Sequence, residues 1–441
     1  MIKKRFLKIT IFCVIFYVLQ YIIGSFLICD YTFFGRAVMH NMYEVSEIDG
    51  IFLGNSHTYR AINPEIMDKK LGFETFVLAS PGIELDGSLA LLKEAYNNHP
   101  EIKEVYVDID FVHLNNPPIK DKNDFHQIWR IARYIKNPRI KYDYFFHTIP
   151  PKNYFDIILK IGKNKIVINP KKIKKTVLAK LNGNYYKYIY PNSSDLNNIY
   201  KGYIGKDPED KEEKNPLDEV KMEAFSEDKI NTDWYGFVQN IIDYCRNNNL
   251  KLIFYSLPES LQDIMNIGNY DDYSNFLKKY FKSKNCVYYD LNLCKNEYLS
   301  LTTSDYYDSE HLNTNGSKKV CNVIAELILN DEKQINNMFY DSFDQRIASE
   351  NENVFGFNII ESDDMHSLTV IPITNKKENS VITYDYYFIS SKNNKQTLLQ
   401  NTSTNRILYP QKSKGKIEIN CYLNGMFVNS ISKDFDTRWF R

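Results

Sequence analysis

Short apolar runs alternate with amphipathic helical patterns between residues 51 and 329, and this alternation constrains the fold more than any other feature of the sequence. The runs typical of buried strands lie at residues 51–53, 75–79, 105–109, 251–258 and 287–290. Helical patterns lie at residues 64–70, 85–97, 232–246, 272–281 and 317–329. Such an order predicts an α/β fold in which a parallel sheet carries helices on both faces, a three-layer α/β/α arrangement.

The first apolar run ends in a small polar motif, Gly54-Asn55-Ser56. Gly54 permits a sharp turn of the backbone. Parallel α/β sheets bind their ligands at the carboxyl ends of the strands, and Ser56 directly follows such an end. Asn63 followed by Pro64 predicts that the next helix begins there, with Asn63 as its cap. Ser56 is therefore either a nucleophile or a turn serine that caps a helix.

A second motif, Asp308-Ser-Glu-His311, precedes the last helix of the α/β region. Asp308 and His311 are close enough in sequence for both side chains to point toward one serine. A serine becomes a nucleophile when a base lies within hydrogen-bond reach, and the base needs a carboxylate to orient it. Ser56 as nucleophile, His311 as general base and Asp308 as the orienting carboxylate form a candidate catalytic set.

On these two motifs, the sequence resembles the SGNH (GDSL-like) hydrolases over residues 45–335. The first block of that family is a strand followed by Gly-Asp-Ser, and its last block is Asp-x-x-His. The variant Gly-Asn-Ser-His-Thr-Tyr-Arg-x-x-Asn-Pro looks most like the membrane-anchored cell-surface branch. That branch includes polysaccharide O-acetylation proteins and relatives of the D-alanyl-lipoteichoic acid transfer protein. The resemblance implies a flavodoxin-like, three-layer domain and an acyl-serine intermediate on Ser56.

The chain departs from the family pattern in two places. Asn55 stands where the family usually has Asp, and the Gly-x-Asn-Asp block, whose Asn is an oxyanion donor, has no clean counterpart. Where that block would fall, the chain reads Asp108-Ile-Asp110. The resemblance implies that the backbone N–H groups of Gly82 and Ser56 are the oxyanion donors. A missing donor matters, because each can contribute roughly 10²–10³ in rate.

Residues next to the two motifs are candidates for substrate binding. His57 either contacts the acyl group or carbohydrate, or packs against its neighbours. Arg60 either binds a carboxylate or phosphate with both arms of its guanidinium, or pairs with the next helix, which we favour. Asn55 and Asn313 are expected to fix the geometry of their loops by side-chain hydrogen bonds.

The sequence contains no motif for a metal or a cofactor, and we predict neither. Its seven cysteines are scattered without C-x-x-C spacing, which disfavours a zinc site. Asp108, Asp110 and His113 follow a strand, but no further ligand is spaced to complete a metal site with them.

The amino terminus has the pattern of a signal anchor, which we assign to residues 1–30. Four basic residues among the first eight precede residues 9–29, which carry no charge and are long enough to span a bilayer. The positive-inside rule places the amino terminus inside and the bulk of the chain outside the cell membrane. A cleavable signal peptide is disfavoured because the run is long and no small-x-small site follows it.

The α/β alternation is interrupted once and then ends. Residues 115–228 are predicted to form a helical insertion over the site. Lysines at residues 157–176 serve either an anionic partner, lipid or polymer, or a solvated helix face, which we favour. Residues 345–441 alternate at a period of two, and Asn424-Gly425 signals a hairpin turn, so this region is predicted to be a small β-sandwich-like accessory domain.

The charge balance also restricts the function. The formal net charge is zero, so nothing in the electrostatics favours nucleic acid as a partner. The motifs and the anchor together predict an extracytoplasmic serine acyltransferase or esterase that acts on cell-surface polysaccharide or a teichoic-acid-like polymer. A membrane O-acyltransferase is the expected partner protein. The rival hypothesis is a non-catalytic SGNH-like assembly or glycan-binding protein, which the missing Gly-x-Asn-Asp block supports.

Overall fold

The computed structural model describes residues 2–27, 33–111, 114, 130–154, 169–187, 199–210, 224–308, 310–330, 332–361, 367–392, 394–408 and 414–436. The chain divides into two compact units. The first comprises Met1–Gly205 and Ile230–Ile253, and the second comprises Lys206–Lys229 and Phe254–Arg441. Ser56 therefore belongs to the first unit, and Asp308 and His311 belong to the second.

The secondary structure of the first unit begins with a long apolar helix and continues as alternating strands and helices. Its helices are α1 (Ile2–Leu27), α2 (Phe33–Glu44), α3 (Ser56–Ala61), α4 (Pro64–Leu71), α5 (Leu85–Asn98), α6 (Pro138–Thr148), α7 (Pro170–Leu181) and α8 (Thr232–Asn247). Its strands are β1 (Gly50–Gly54), β2 (Thr75–Ala79), β3 (Glu104–Asp108), and the short pair β4 (Ile199–Tyr200) and β5 (Tyr203–Ile204).

The second unit combines the rest of the α/β region with the carboxyl-terminal strands. Strand β6 (Lys251–Ser256) begins in the first unit and ends in the second. Helices α9 (Leu261–Asn266), α10 (Tyr270–Ser283), α11 (Thr314–Leu329), α12 (Glu332–Asn336) and α13 (Phe343–Ser349) follow, with strand β7 (Val287–Asp290) among them. The final strands are β8 (Val354–Glu361), β9 (Ser367–Thr374), β10 (Ile382–Ser390), β11 (Lys395–Thr402), β12 (Arg406–Leu408), β13 (Lys414–Leu423) and β14 (Met426–Asp436).

The predicted parallel sheet with flanking helices is confirmed. Five strands form it in the order β2-β1-β3-β6-β7. β1 pairs in parallel with β2 on one side and with β3 on the other, and Leu53 aligns with Leu78 and Val107. Every residue of β1 and β2 is buried, as expected for strands that are covered on both faces. The carboxyl ends of β1, β2 and β3 therefore meet at one edge of the sheet.

The predicted antiparallel region at the carboxyl terminus is confirmed as well. A four-stranded sheet, β11-β10-β13-β14, and a three-stranded sheet, β12-β9-β8, contribute to one core, in which Phe357 and Val370 of one sheet and Tyr386 and Ile417 of the other are fully buried. Asn424 and Gly425 have φ angles of 53° and 79° and form the hairpin turn between β13 and β14.

Two sequence predictions meet the structure only in part. The predicted insertion, residues 115–228, includes 115–129, 155–168, 188–198 and 211–223, which lie outside the described residues. Its described part contains α6, α7, β4 and β5. The predicted start of the β-rich region, residue 345, falls inside α13, and the first strand begins at Val354.

Helix α1 carries the uncharged run of the amino terminus. Its segment Lys3–Gly24 is long and apolar enough to cross a membrane, by length and composition. Most of its side chains are exposed, as they would be in a helix that faces lipid.

Candidate active site

The turn after β1 places Ser56 at the carboxyl edge of the sheet. A Cβ atom on Gly54 would lie 2.0 Å from Thr58 Oγ1 and 2.9 Å from Asp108 Cβ, so only glycine allows this close approach. Helix α3 begins at Ser56, whereas the sequence predicted the first helix after β1 at Asn63-Pro64. The predicted helix is also present as α4, and Asn63 caps it by accepting from Glu65 N–H at 3.0 Å.

Asn55 is the residue that sets this turn. Its side-chain oxygen accepts a hydrogen bond from the backbone N–H of His57 at 2.9 Å, which caps α3. Its amide nitrogen donates to Asp110 Oδ2 at 2.7 Å. Asn55 and Asp110 are both buried. Both ends of the Asn55 side chain are therefore used to hold the backbone that carries Ser56.

A second buried pair supports the same turn. Thr58 Oγ1 donates a hydrogen bond to Asp108 Oδ2 at 3.1 Å, and both residues are buried. Asp108 ends β3, so this pair and the Asn55–Asp110 pair join α3 to the segment after β3. That segment occupies the place of the expected Gly-x-Asn-Asp block, and its carboxylates accept hydrogen bonds from the turn of Ser56. Sequence reasoning did not predict this role, since it depends on the alignment of β1 with β3.

His57 and Arg60 both lie on α3 and are half-buried. His57 Nδ1 lies 3.7 Å from Asp110 Oδ2, so the ring is held beside the same carboxylate that Asn55 contacts. Arg60 donates from one guanidinium nitrogen to the carbonyl oxygen of Ile204 at 3.1 Å, at the end of β5. The guanidinium carbon of Arg60 also lies 5.4 Å from the ring centre of Tyr59.

Gly82 lies in a tight turn that follows β2. Ile83 N–H donates to the carbonyl oxygen of Ser80 at 3.2 Å, and Gly82 has a φ of 63°, which is the pattern of a type II turn with proline before glycine. Ser80 N–H donates to the carbonyl oxygen of Gly54 at 3.2 Å. This hydrogen bond holds the Gly82 turn beside the end of β1, within the first unit.

In the second unit, Asp308 and His311 form a direct pair. His311 Nδ1 lies 2.9 Å from each carboxylate oxygen of Asp308. Asp308 Oδ1 also accepts from the backbone N–H groups of Glu310 and His311 at 2.9 Å and 2.7 Å. Burial would raise the pKa of Asp308, but the hydrogen bonds and charge of His311 outweigh it and lower the pKa to about 2. Asp308 is therefore ionised at neutral pH.

Asn313 fixes the loop that carries this pair. Its side-chain oxygen accepts from the backbone N–H groups of Asn315 and Gly316 at 2.9 Å and 3.2 Å and caps α11. Its amide nitrogen donates to the carbonyl oxygen of Ser304 at 2.7 Å. The buried Asn313 thus ties the chain before the Asp308 motif to the helix after it.

Asp263 is a titratable residue that sequence reasoning did not single out. The pKa of Asp263 is raised to about 7, first by burial and then by the nearby charges of Glu310 and Asp308, while the hydrogen bond from Ser260 and the charge of His311 oppose the shift. Ser260 Oγ donates to Asp263 Oδ2 at 2.9 Å. Ser260-x-x-Asp263 is readable as a helix start, but its closeness to the Asp308 loop is a product of folding.

The structure thus assembles two groups of predicted site residues, each within one unit. Asn55, Ser56 and His57 lie together on the turn after β1, with Gly82 beside it. Asp308 and His311 lie together before α11, with Asn313 at the base of their loop.

Comparison with known proteins finds similarity only among solved structures. The sequence matches no protein-family model and no curated protein. One similar structure is described as an acylhydrolase from Bacteroides fragilis NCTC 9343, with 12% identity and a TM-score of 0.31 over 68% of this chain and 94% of that one. Another is a GDSL-like lipase from Bacteroides thetaiotaomicron VPI-5482, with 9% identity and a TM-score of 0.30 over 68% of this chain and 98% of that one. Both TM-scores are below 0.5.

Proposed function

We propose that this chain is a serine acyltransferase or esterase of the SGNH type, in which Ser56 is the nucleophile. The observation that carries the proposal is the contact of His311 Nδ1 with both oxygens of Asp308 at 2.9 Å. A proton on Nδ1 satisfies this carboxylate, so Nε2 is the ring nitrogen that accepts the proton of a serine. Ser56, at the carboxyl end of β1, is the proposed source of that proton.

The proposed reaction has two halves. Ser56 Oγ attacks the acyl carbonyl while His311 Nε2 takes its proton, and Asp308 stabilises the imidazolium without becoming protonated. His311 then returns the proton to the leaving oxygen, and the acyl group stays on Ser56 as an ester. A hydroxyl of a polysaccharide, or water, loses its proton to His311 and attacks this ester, and His311 then gives that proton to Ser56 Oγ as it leaves. These steps use no metal or cofactor.

Two backbone N–H groups, those of Ser56 and Gly82, are the proposed donors to the oxyanion. Support comes from the hydrogen bond between Ser80 N–H and the carbonyl oxygen of Gly54, which holds the Gly82 turn next to the turn of Ser56. Backbone donors of this kind stabilise the charge that develops in the transition state. His57, held beside Asp110, is the proposed contact for the acyl group or the sugar.

The proposed substrate is a cell-surface polysaccharide or a teichoic-acid-like polymer outside the cell membrane. Support comes from the apolar segment Lys3–Gly24 of α1 and from the basic residues at the start of the chain. An enzyme anchored this way works close to the membrane, where a membrane O-acyltransferase would present an acyl group. Protease added to protoplasts should therefore digest the chain after residue 30, and full protection would exclude this topology.

A non-catalytic role in glycan assembly or binding is the second candidate. The observation that favours it is the loop after β3, where Asp108 and Asp110 replace the Gly-x-Asn-Asp block and bind Thr58 and Asn55 instead. A protein of this kind would keep the fold and the loops without reacting at Ser56.

Labelling with a fluorophosphonate probe tests the two candidates directly. The full-length protein should be labelled, and Ser56→Ala should remove the label while the thermal unfolding midpoint stays unchanged. Folded wild-type protein that resists the probe, and a Ser56→Ala variant that still restores the acyl content of the surface polysaccharide in a deletion strain, would establish the non-catalytic role. Acyl groups found on the polysaccharide, rather than released into water, would assign transfer over hydrolysis.

A further inference from the structure

Helix α7 exposes a face that combines lysines with leucines. Five residues of α7 follow one another at spacings of three residues or one, so they share one side of the helix: Lys171, Lys174, Lys175, Leu178 and Leu181. All five are exposed, and Leu178 and Leu181 expose 46% and 66% of their surface. The lysines occupy the amino-terminal half of this face, and the leucines occupy the carboxyl-terminal half.

The opposite side of α7 is packed, so the exposed leucines are not displaced core residues. Thr176 is buried, and Ile173 and Val177 are half-buried. Lys180 Nζ lies 4.7 Å from the ring centre of Tyr185, and the guanidinium carbon of Arg36 in α2 lies 4.0 Å from the same ring. These contacts fix the rotation of α7, and with it the direction of the lysine–leucine face.

Helix α7 also packs against α1, the apolar helix of the amino terminus. Among residues 3–24 of α1, the buried ones are Gln20 and Gly24, which lie toward its carboxyl end. Lys8 and Gly24 are separated by roughly 24 Å along an α-helix, and the hydrocarbon core of a bilayer is about 30 Å thick. If Lys8 marks one surface of a bilayer, the contact with α7 lies near the other surface.

We propose that α7 lies in the membrane interface and binds anionic lipid through Lys171, Lys174 and Lys175, with Leu178 and Leu181 inserted among the acyl chains. Lysines attract anionic headgroups, and burial of apolar side chains among acyl chains is favourable because it removes them from water. A face that combines both residue types is typical of a helix in the membrane interface. The proposal deepens the proposed function, because it rests on the insertion of α1 and holds the first unit against the bilayer.

A soluble anionic polymer is the competing partner for these lysines. It would satisfy the charges of Lys171, Lys174 and Lys175, but it would leave Leu178 and Leu181 in water. The packing of α7 on α1 also places α7 near the bilayer wherever α1 is inserted. The leucines and this position therefore favour the lipid surface.

Fluorescence quenching in nanodiscs tests the proposal on the full-length chain. A Leu181→Trp variant is placed in discs of brominated phosphatidylcholine, with or without phosphatidylglycerol, and the protein without this substitution supplies the background of the native tryptophans. The added tryptophan should be quenched, and more strongly with phosphatidylglycerol. Adding Lys171→Gln, Lys174→Gln and Lys175→Gln should reduce the quenching to its value in phosphatidylcholine alone, since each lysine contributes to the attraction.

A matched control removes the same charge elsewhere. Lys279→Gln, Lys282→Gln and Lys318→Gln alter three exposed lysines on α10 and α11 and should leave the quenching unchanged.

Equal quenching in both kinds of disc, or quenching that is unaffected by the lysine substitutions on α7, would overturn lipid recognition. Protection of the added tryptophan by dextran sulfate without quenching by lipid would instead identify the polymer. Release of the protein by alkaline carbonate would refute the α1 anchor and this proposal, whereas retention without quenching would refute the α7 proposal alone.

Discussion

At the carboxyl ends of β1 and β3, four polar side chains are almost inaccessible to solvent: Asn55, Thr58, Asp108 and Asp110. The two sheets formed by β8–β14 share a hydrophobic core of aliphatic and aromatic side chains and one cysteine, and Ser367 of β9 is also buried. Burying a polar group costs free energy unless it is hydrogen-bonded, whereas burying an apolar one stabilises the fold. The polar residues at the strand ends therefore contribute less to the stability of the fold, but their hydrogen bonds fix the geometry of the turn that carries Ser56.

The polar strand end avoids a larger penalty because its members satisfy one another. Asn55 bonds to Asp110 and Thr58 bonds to Asp108, so a change in one partner leaves the other buried and unpaired. The β-rich region buries a hydroxyl group in a different setting. Its buried Tyr386 needs one partner for its hydroxyl, and it donates to the carbonyl oxygen of Thr404 at 2.9 Å. Substitutions of the reacting residues should thus affect activity, those of the buried polar pairs both activity and stability, and those in the β-rich core stability alone.

The largest expected effect is the loss of acyl transfer in Ser56→Ala and in His311→Ala, each on the order of 10⁴–10⁶-fold. Ser56 and His311 act as one unit in the proposed mechanism, so the double variant should be hardly slower than either single variant. Asp308→Ala should be milder, because the imidazole remains and loses only its orientation. The measurement is the rate at which the purified protein hydrolyses a small acyl ester.

The comparison of the two regions breaks if these variants unfold more readily than wild type. Thermal unfolding should show an unchanged or slightly higher midpoint for Ser56→Ala, since a site residue contributes function rather than stability. A strongly additive effect of the two substitutions on the rate would argue against a shared proton transfer.

The next largest effect is expected from Asn55→Asp, which restores the usual residue of the resembling family. Here it would place a second carboxylate at the position where Asn55 Nδ2 now donates to Asp110 at 2.7 Å. Two buried like charges should destabilise the fold by about 2–4 kcal/mol and displace Ser56 enough to slow the reaction about 10²-fold. Urea unfolding and ester hydrolysis measure the two effects.

A compensating change sharpens this test. Asn55→Asp combined with Asp110→Asn reverses the donor and the acceptor and should recover most of the lost stability. If the double variant is as unstable as Asn55→Asp alone, the contact between Asn55 and Asp110 is not the cause.

Asp263→Asn should stabilise the protein at neutral pH by on the order of 2–4 kcal/mol. Because the pKa of Asp263 is raised to about 7 in the folded state, ionisation in the unfolded chain, which begins near pH 4, opposes folding increasingly up to pH 7. The amide removes this penalty and still accepts from Ser260. The gain should vanish near pH 4 and level off above pH 7 in unfolding experiments; a gain that is independent of pH would contradict the prediction.

The smallest effect is expected from Tyr386→Phe in the β-rich core. The variant loses one buried hydrogen bond, to Thr404, and should lower the free energy of unfolding by about 1 kcal/mol. Ester hydrolysis and fluorophosphonate labelling should not change. A loss of activity here would show that the β-rich region contributes to the site, and the contrast between the two regions would fail.

The strands of the sheet were predictable because burial on both faces demands continuous apolar runs. β2 has the predicted bounds, Thr75–Ala79, and β1 and β3 differ from theirs by single residues. Helix α3 was not predicted, because its cap, Asn55, was interpreted as part of the turn, and the stronger Asn63-Pro64 signal followed closely. Helix α2 was missed because it follows the uncharged run of the amino terminus almost directly.

The polar contacts of the site could not be predicted from local sequence. Asn55 meets Asp110 only because β1 and β3 pair in parallel with Leu53 beside Val107. The raised pKa of Asp263 likewise depends on its burial, and secondarily on the charges of Glu310 and Asp308, which lie 45 to 47 residues later in the chain. The pair of Asp308 and His311 was accessible, since both residues lie in one short loop.

The hydrogen bond from Asn231 N–H to the carbonyl oxygen of Leu114, at 2.8 Å, closes the excursion of the chain between β3 and α8 at its base. A flexible loop on the order of a hundred residues loses about 4 kcal/mol of length-dependent entropy on closure, and doubling its length adds only about 0.6 kcal/mol. The length of the excursion is thus nearly neutral for equilibrium stability. It matters for kinetics, because β6 cannot join the sheet until the chain has returned, and contacts so distant in sequence form slowly. The sheet therefore stays incomplete until β6 reaches β3. Until then the edge of β3 is unpaired, and it can pair with other chains and promote aggregation.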